Sequence, residues 1–280
     1  MKNILVPTDF SELAYDALSV AGYLAGPSQA HVYLLNVIEP VGAAVGSGIG
    51  GAHDDGMHQV YMIKLIEQTQ RDLVELAEDP RFANIYLTPK VLMGRVFERI
   101  DRMVEDHQMD LVVMGTAGLS GFDELMLGST TEKVVRRVNC PVLAVHDLGD
   151  ADFKLESVVL ATDGHEDATR LVAVVKQLQA QFHFHIHLLT VITPLHFLST
   201  KVGEEHLKAF VEQHQLENTT LHLYSDVSEE KGILSFAREV EADLIALVTH
   251  HRRGLMHFFR GSLGEDIVNH AIRPVLTVRI

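Results

Sequence analysis

Glycines at positions 115, 118, 121 and 128, followed by Ser129, Thr130 and Thr131, are the residues of this 280-residue chain whose types and spacing most directly suggest chemistry. They follow an apolar run, Leu111-Val112-Val113-Met114, and precede a segment at 132–138 with helical spacing of apolar side chains. A residue without Cβ lets backbone N–H groups approach an anion, and hydroxyls at a helix N-terminus stand where the peptide dipoles favour negative charge. The chemistry implied is cradling of phosphate. The competing reading is a glycine-rich turn that only packs a helix on a strand.

Other reactive residue types carry less. His183, His185 and His187 alternate along one predicted strand, which puts all three on one face, and imidazole suits zinc or copper. At the last two of these positions the aligned residues in the first half of the chain are His31 and Tyr33, so strand packing accounts for them and zinc is not expected. Cys140 precedes Pro141 at the start of a predicted strand and reads as a core residue. A glycine-rich stretch at 41–57 lacks the Gly-Lys-Ser/Thr ending of a P-loop; a lid over a ligand and a simple insertion both remain open for it. No nucleophile triad, HExxH or EF-hand pattern occurs, so binding is better supported than catalysis.

The elements that must position the glycine stretch emerge when the chain is aligned on itself. Val6-Pro7-Thr8-Asp9 matches Leu160-Ala161-Thr162-Asp163, and residues 34–38 match 188–192, both at a shift of 154. Later, Asp110-Leu111 matches Asp243-Leu244, Gly128-Ser129 matches Gly261-Ser262 and Pro141-Val142-Leu143 matches Pro274-Val275-Leu276, all at a shift of 133. Two copies of one domain are therefore expected, over 1–148 and 153–280. In the first copy, short Val/Ile/Leu-rich runs predict strands at 2–7, 31–38, 85–92, 110–115 and 141–146. Three-and-four spacing predicts helices at 11–25, 58–79, 94–107 and 128–138. Alternating strands and helices make an α/β domain, an open parallel five-stranded sheet with helices on both faces. Such sheets bind ligands at the strands' carboxyl ends where strand order reverses. Thr8-Asp9, Val37 and Gly115 all fall at those ends.

In the second copy Gly115 becomes Val248 and Gly118 becomes His251, giving Val-Thr-His-His-Arg-Arg-Gly where the cradle stood; only Gly261-Ser262 survives. That half is expected to keep the fold and lose the site. His250, His251, Arg252 and Arg253 read as a solvated loop.

Composition sets limits. Hydrophobic content of 47% and charged content of 22% predict a folded chain throughout. A net charge of −15 opposes nucleic acid or an anionic membrane as partner. One cysteine, with no cationic leader and no long apolar run, predicts a cytoplasmic protein.

The pattern Gly115-x2-Gly118-x9-Gly128-Ser129 resembles the ATP-binding signature of the universal stress protein family. The flanking phrases, residues 4–11 and Glu132-Lys133-Val134 through Cys140-Pro141-Val142-Leu143, are similar to that family as well, and the likeness covers both halves. It implies two tandem flavodoxin-like (adenine nucleotide alpha hydrolase-like) domains whose final strands, 141–145 and 274–278, meet as an internal pseudo-dimer; a homodimer of the whole chain stays open. It further implies an adenosine site at Pro7, Thr8, Asp9 and Val37, bordered by Met114. Phosphates would lie on the Gly115, Gly118 and Gly128 backbone, with Ser129, Thr130 and Thr131 as further donors. Asp9 would accept from ribose hydroxyls or help hold Mg. One departure stands out. Residues 116–120 read Thr-Ala-Gly-Leu-Ser, without the basic or histidine side chains of many relatives, which leaves phosphate charge to backbone, a divalent cation, Lys133 or Arg136. The expectation is a stress-response regulator that binds ATP or another adenine nucleotide, against two alternatives: a slow Mg-dependent ATPase and a nucleotide-independent interaction module.

Overall fold

Apolar runs of four to eight residues form the strands of a computed structural model that describes residues 1–40, 55–116, 129–149, 152–163, 167–249, 267–268 and 271–280, with the side chains of 55–58 and 129 outside that description. The first half runs β1 (Asn3–Pro7), α1 (Glu12–Ala25), β2 (His31–Ile38), α2 (Asp55–Ala77), β3 (Tyr86–Met93), α3 (Val96–Asp106), β4 (Leu111–Gly115), α4 (Ser129–Arg137) and β5 (Val142–Val145). The second runs β6 (Ser157–Ala161), α5 (Thr169–Phe182), β7 (His185–Ile192), α6 (Thr200–His214), β8 (Thr219–Ser225), α7 (Glu229–Glu239), β9 (Leu244–Thr249) and β10 (Val275–Arg279). Serines mark several helix starts. Ser11, Ser199 and Ser228 each accept a hydrogen bond from the N–H three residues on, which satisfies one of the donors a helix start leaves unpaired.

Strand order is β3-β2-β1-β4-β5-β10-β9-β6-β7-β8, a ten-stranded sheet. Each half contributes five parallel strands, and the two sets join at β5 and β10, which pair antiparallel with Ala144 opposite Val275, Leu143 opposite Leu276 and Val142 opposite Thr277. The final strands thus do meet, and they fuse two five-stranded sheets into one. On one face, buried residues of α1, α2, α5 and α6 form a cluster that runs across the joint through Leu143 and Leu276. The other face carries two clusters, one under α3 and α4, one joining α7 with Ile267, Val268 and Ala271. Tyr23 of α1 stacks on Phe182 of α5 at 4.8 Å and meets Phe153 edge-on at 5.3 Å, so the helices also touch across the joint.

The joint contains a buried histidine. His146 follows β5, is 2% exposed, and its Nε2 donates to the Val268 carbonyl of the other half at 2.8 Å. Burial holds its pKa below the ordinary 6.5, against the opposing pull of the Val268 and Arg273 backbone. The unfolded chain therefore takes up a proton near that value that the folded chain refuses. Stability is full above it and is lost as pH falls from there toward the lowered folded pKa. Urea midpoints should drop from pH 7.5 to roughly pH 5, and less steeply in His146→Gln; equal slopes in the two proteins would contradict the assignment.

Candidate functional site

The candidate site residues lie at the carboxyl edge of the first half, where order reverses between β1 and β4. Thr8 N–H donates to the Leu35 carbonyl at 2.8 Å, extending the β1 ladder one residue past Pro7. The chain then turns sharply, and Phe10 takes a left-handed φ of 65°. Three side chains fix this turn. Thr8 Oγ1 accepts from Phe10 N–H at 3.0 Å, Asp9 Oδ1 from Ser11 N–H at 3.0 Å, and Ser11 Oγ from Ala14 N–H at 3.3 Å. Asn36 Nδ2 braces it from β2 by donating to the Thr8 carbonyl at 2.8 Å. Asp9 is exposed, with one carboxylate oxygen committed to the turn.

The sheet's alternation sorts the apolar members. Leu5, Leu35, Val112 and Met114 share the cluster under α3 and α4, and Val37 packs against it half-buried. Pro7, two residues beyond Leu5 and in register with Leu35, lies on the same face. Pro7, Val37 and Met114 therefore share one side of the strand ends, across β1 from one another.

Gly115 closes β4 opposite Val145. A Cβ there would sit 2.4 Å from the Leu13 carbonyl oxygen, well inside contact distance, so α1 itself requires glycine at this position. The sequence argument assigned that requirement to an approaching anion; in the structure the approaching group is the first turn of α1. Its counterpart Val248 is 4% exposed. The helix at this edge also starts later in the second half: at the 154-residue shift Glu12 falls on residue 166, whereas α5 begins at Thr169.

α4 follows with its N-terminus at the same edge. Thr131, 4% exposed, donates its hydroxyl to the Gly115 carbonyl at 3.3 Å and ties the helix start to the strand end; Thr130 is half-buried. Gly118 and Gly128 lie outside the described residues, as does the Ser129 side chain. Lys133 is exposed in α4, whereas Arg136 sits in the last turn with Nη1 on Glu132 Oε1 at 3.1 Å, about 10 Å along the axis from Ser129. Arg136 is thus placed away from the helix start.

One residue escaped the sequence reading. Thr116 is 2% exposed; its N–H donates to the Val145 carbonyl at 2.8 Å, and its hydroxyl is buried with no hydrogen-bond partner among the described residues. Alternation places it on the Met114 face, toward α4. The available signal was the recurrence of threonine at the 133-residue shift, Thr249, whose hydroxyl is likewise buried without a partner among the described residues.

The histidine reading needs correction. His183 is not in a strand; it ends α5 with a left-handed φ of 57° and is exposed. His185 and His187 do share a face of β7, but the third imidazole comes from His222 on β8, whose Nε2 lies 3.1 Å from His187 Nδ1. Both nitrogens of His185 are engaged, with Asn218 Oδ1 at 3.0 Å and Thr220 Oγ1 at 2.9 Å. Burial and the neighbouring histidines hold His187 and His222 below the ordinary imidazole range. Among the described residues no group of three or more His, Cys, Asp or Glu could hold a metal ion. Cys140 is buried and donates to the Met109 carbonyl at 3.1 Å; burial first, then the Asp110 charge, pushes its thiol up to about 12, far from thiolate chemistry at neutral pH.

In the second half the β6 edge is built alike: Thr162 N–H donates to the Leu189 carbonyl at 2.9 Å and Thr190 Oγ1 donates to the Thr162 carbonyl at 2.8 Å, the counterpart of the Asn36 brace. Residues 250–266, which hold His250, His251, Arg252, Arg253, Gly261 and Ser262, lie outside the described residues, as do 41–54 of the glycine-rich stretch. No helix among the described residues is long and apolar enough to cross a membrane.

Comparison with known proteins agrees with this architecture. A universal stress protein from Archaeoglobus fulgidus superposes with a TM-score of 0.75 over 99% of this chain and 98% of its own, at 21% identity, which shows the shared fold. Universal stress protein MJ0531 of Methanocaldococcus jannaschii is 29% identical over 144 residues, 51% of this chain and 81% of its own length. Universal stress protein MJ0577 of the same organism is 28% identical over 152 residues, 51% of this chain and 94% of its own. The universal stress protein family profile matches twice, over residues 1–146 and 154–279. With two tandem matches spanning nearly all of its length, the chain belongs to the universal stress protein family.

Proposed function

We propose that the first half, residues 1–148, binds an adenine nucleotide, ATP before others, and that the protein is a cytoplasmic stress-response regulator read out through that occupancy. The second half, 153–280, keeps the fold without the site. The observation that carries this reading is convergence. Thr8 and Asp9, Val37, and Met114 with Gly115 come from three separated segments to one strand edge, in front of the N-terminus of α4. The apolar side formed by Pro7, Val37 and Met114 suits an adenine ring. The glycine stretch ending at Gly128-Ser129 and the first N–H groups of α4 suit phosphate, each such charge-assisted bond contributing roughly 1.5–3 kcal/mol. Several donors give affinities near micromolar once association costs are met.

Titration of ATP into the purified protein tests it. A dissociation constant near roughly 10 μM is expected, weakened about tenfold in Asp9→Ala, which removes one ribose or cation contact. No saturable binding below roughly 1 mM would sink the reading. A slow Mg-dependent ATPase is the second reading, favoured by the carboxylate oxygen of Asp9 that the turn leaves uncommitted. A single carboxylate with phosphate oxygens fits the way Mg is commonly held. Phosphate release lost in Asp9→Ala, with binding partly kept, would support it.

A further inference from the structure

The two halves exchange contacts at their joint in a reciprocal way. At the 133-residue shift His146, which follows β5, corresponds to Arg279, the last residue of β10. His146 crosses to the backbone of the helical segment at 267–268, through the Val268 carbonyl at 2.8 Å. Arg279 crosses the other way, its Nη1 donating to the carbonyl of Arg137, the last residue of α4, at 2.5 Å. Arg170 of α5 adds a second tie, donating to Asn139 Oδ1 at 2.8 Å and to the Arg279 carbonyl at 3.5 Å.

The last carbonyls of a helix lack intrahelical partners and carry the negative end of its dipole, so a guanidinium on one of them acts as a cap supplied from outside. α4 is thus held at both ends. Its start is tied to Gly115 through Thr131, and its last residue is tied to the second half through Arg279, with Arg170 holding Asn139 just beyond the helix. Val134 and Val135, 0% and 2% exposed, lock the middle against the sheet. A nine-residue rod spans about 13 Å, so displacement at one end is felt at the other.

We infer that Arg279, supported by Arg170, is a positioning residue for the nucleotide site: the second half sets where the N-terminus of α4 stands, and thereby how well the first half holds phosphate. This rests on the nucleotide reading above. It gives the half that lost its own cradle a role in the remaining one. It also makes the joint the place where occupancy is felt by the second half, since phosphate binding and the Arg279 contact act on opposite ends of one helix.

The test uses the full chain and three variants, Arg279→Ala, Arg279→Lys and Arg170→Ala. In ligand-free protein, hydrogen–deuterium exchange of α4 amides should quicken in Arg279→Ala and return toward the parent rate in Arg279→Lys. With ligand, affinities for ATP and adenosine are measured in competition with a fluorescent ATP analogue. ATP should weaken about fivefold in Arg279→Ala and about threefold in Arg170→Ala, while adenosine, which does not reach α4, stays within about twofold. Parallel loss of ATP and adenosine, or α4 exchange identical to the parent's, overturns the inference while leaving nucleotide binding intact. A parent protein that binds neither ligand overturns the nucleotide reading and this one with it, and exchange then reports only the anchoring of α4.

Discussion

Gly115→Ala should destabilise the ligand-free protein by about 3 kcal/mol, lowering the melting temperature by roughly 6–12 °C. The added methyl would lie 2.4 Å from the Leu13 carbonyl oxygen and 2.6 Å from its carbon, both backbone atoms, so no side-chain rotation relieves the clash. Relief requires α1 to lift off the end of β4. Its first turn is held by the Ser11 cap and by buried Ala14, Ala17 and Leu18, which makes that movement costly. The measurement also separates two explanations of this glycine. If it served only an approaching anion, the methyl would weaken nucleotide binding and leave ligand-free melting unchanged. A drop without ligand shows that the packing of α1 on β4 demands glycine first, and that the site is built on a position the fold had already restricted.

Leu143→Ala should cost about 3 kcal/mol by urea unfolding, one of the largest effects of any single truncation. Leu143 is 2% exposed and faces Leu276, 1% exposed, across the antiparallel pairing of β5 and β10. Both belong to the cluster that continues from one half to the other, so the cavity would open in the centre of the shared core. Val60→Ala, at a side chain that is 53% exposed on α2, should change stability by less than about 0.5 kcal/mol and serves as the control. A loss below about 1 kcal/mol at Leu143 would mean that the core yields at the joint and that the halves are held mainly by backbone pairing.

Much of this was legible before any coordinates. Short Val/Ile/Leu-rich runs place strands within a residue or two of their observed ends, as at His31–Ile38, because a strand covered by helices on both sides buries both of its faces. The internal repeat supplied the second half by copying. Placing Thr8-Asp9, Val37 and Gly115 on one edge followed from parallel topology alone, since every strand of such a sheet delivers its carboxyl end to the same side.

What resisted the sequence was contact between segments. His183 read as a strand residue because alternation extends past the strand's true start, where α5 was still ending in a left-handed turn. His222 was missed because spacing along β7 says nothing about what β8 sets beside it. Thr116 looked like an undistinguished loop residue until its hydroxyl proved buried and without a partner among the described residues.

The sequence by itself determined a duplicated α/β domain of the universal stress protein family and which candidate residues reach one strand edge. Those properties are local or periodic, and each residue carries its share of them. Only the tertiary structure decided why position 115 must be glycine and that Arg279 of one half caps the last residue of α4 in the other. These depend on distances between atoms more than a hundred residues apart, the first set where α1 packs on β4 within one half, the second where the two sheets meet at β5 and β10.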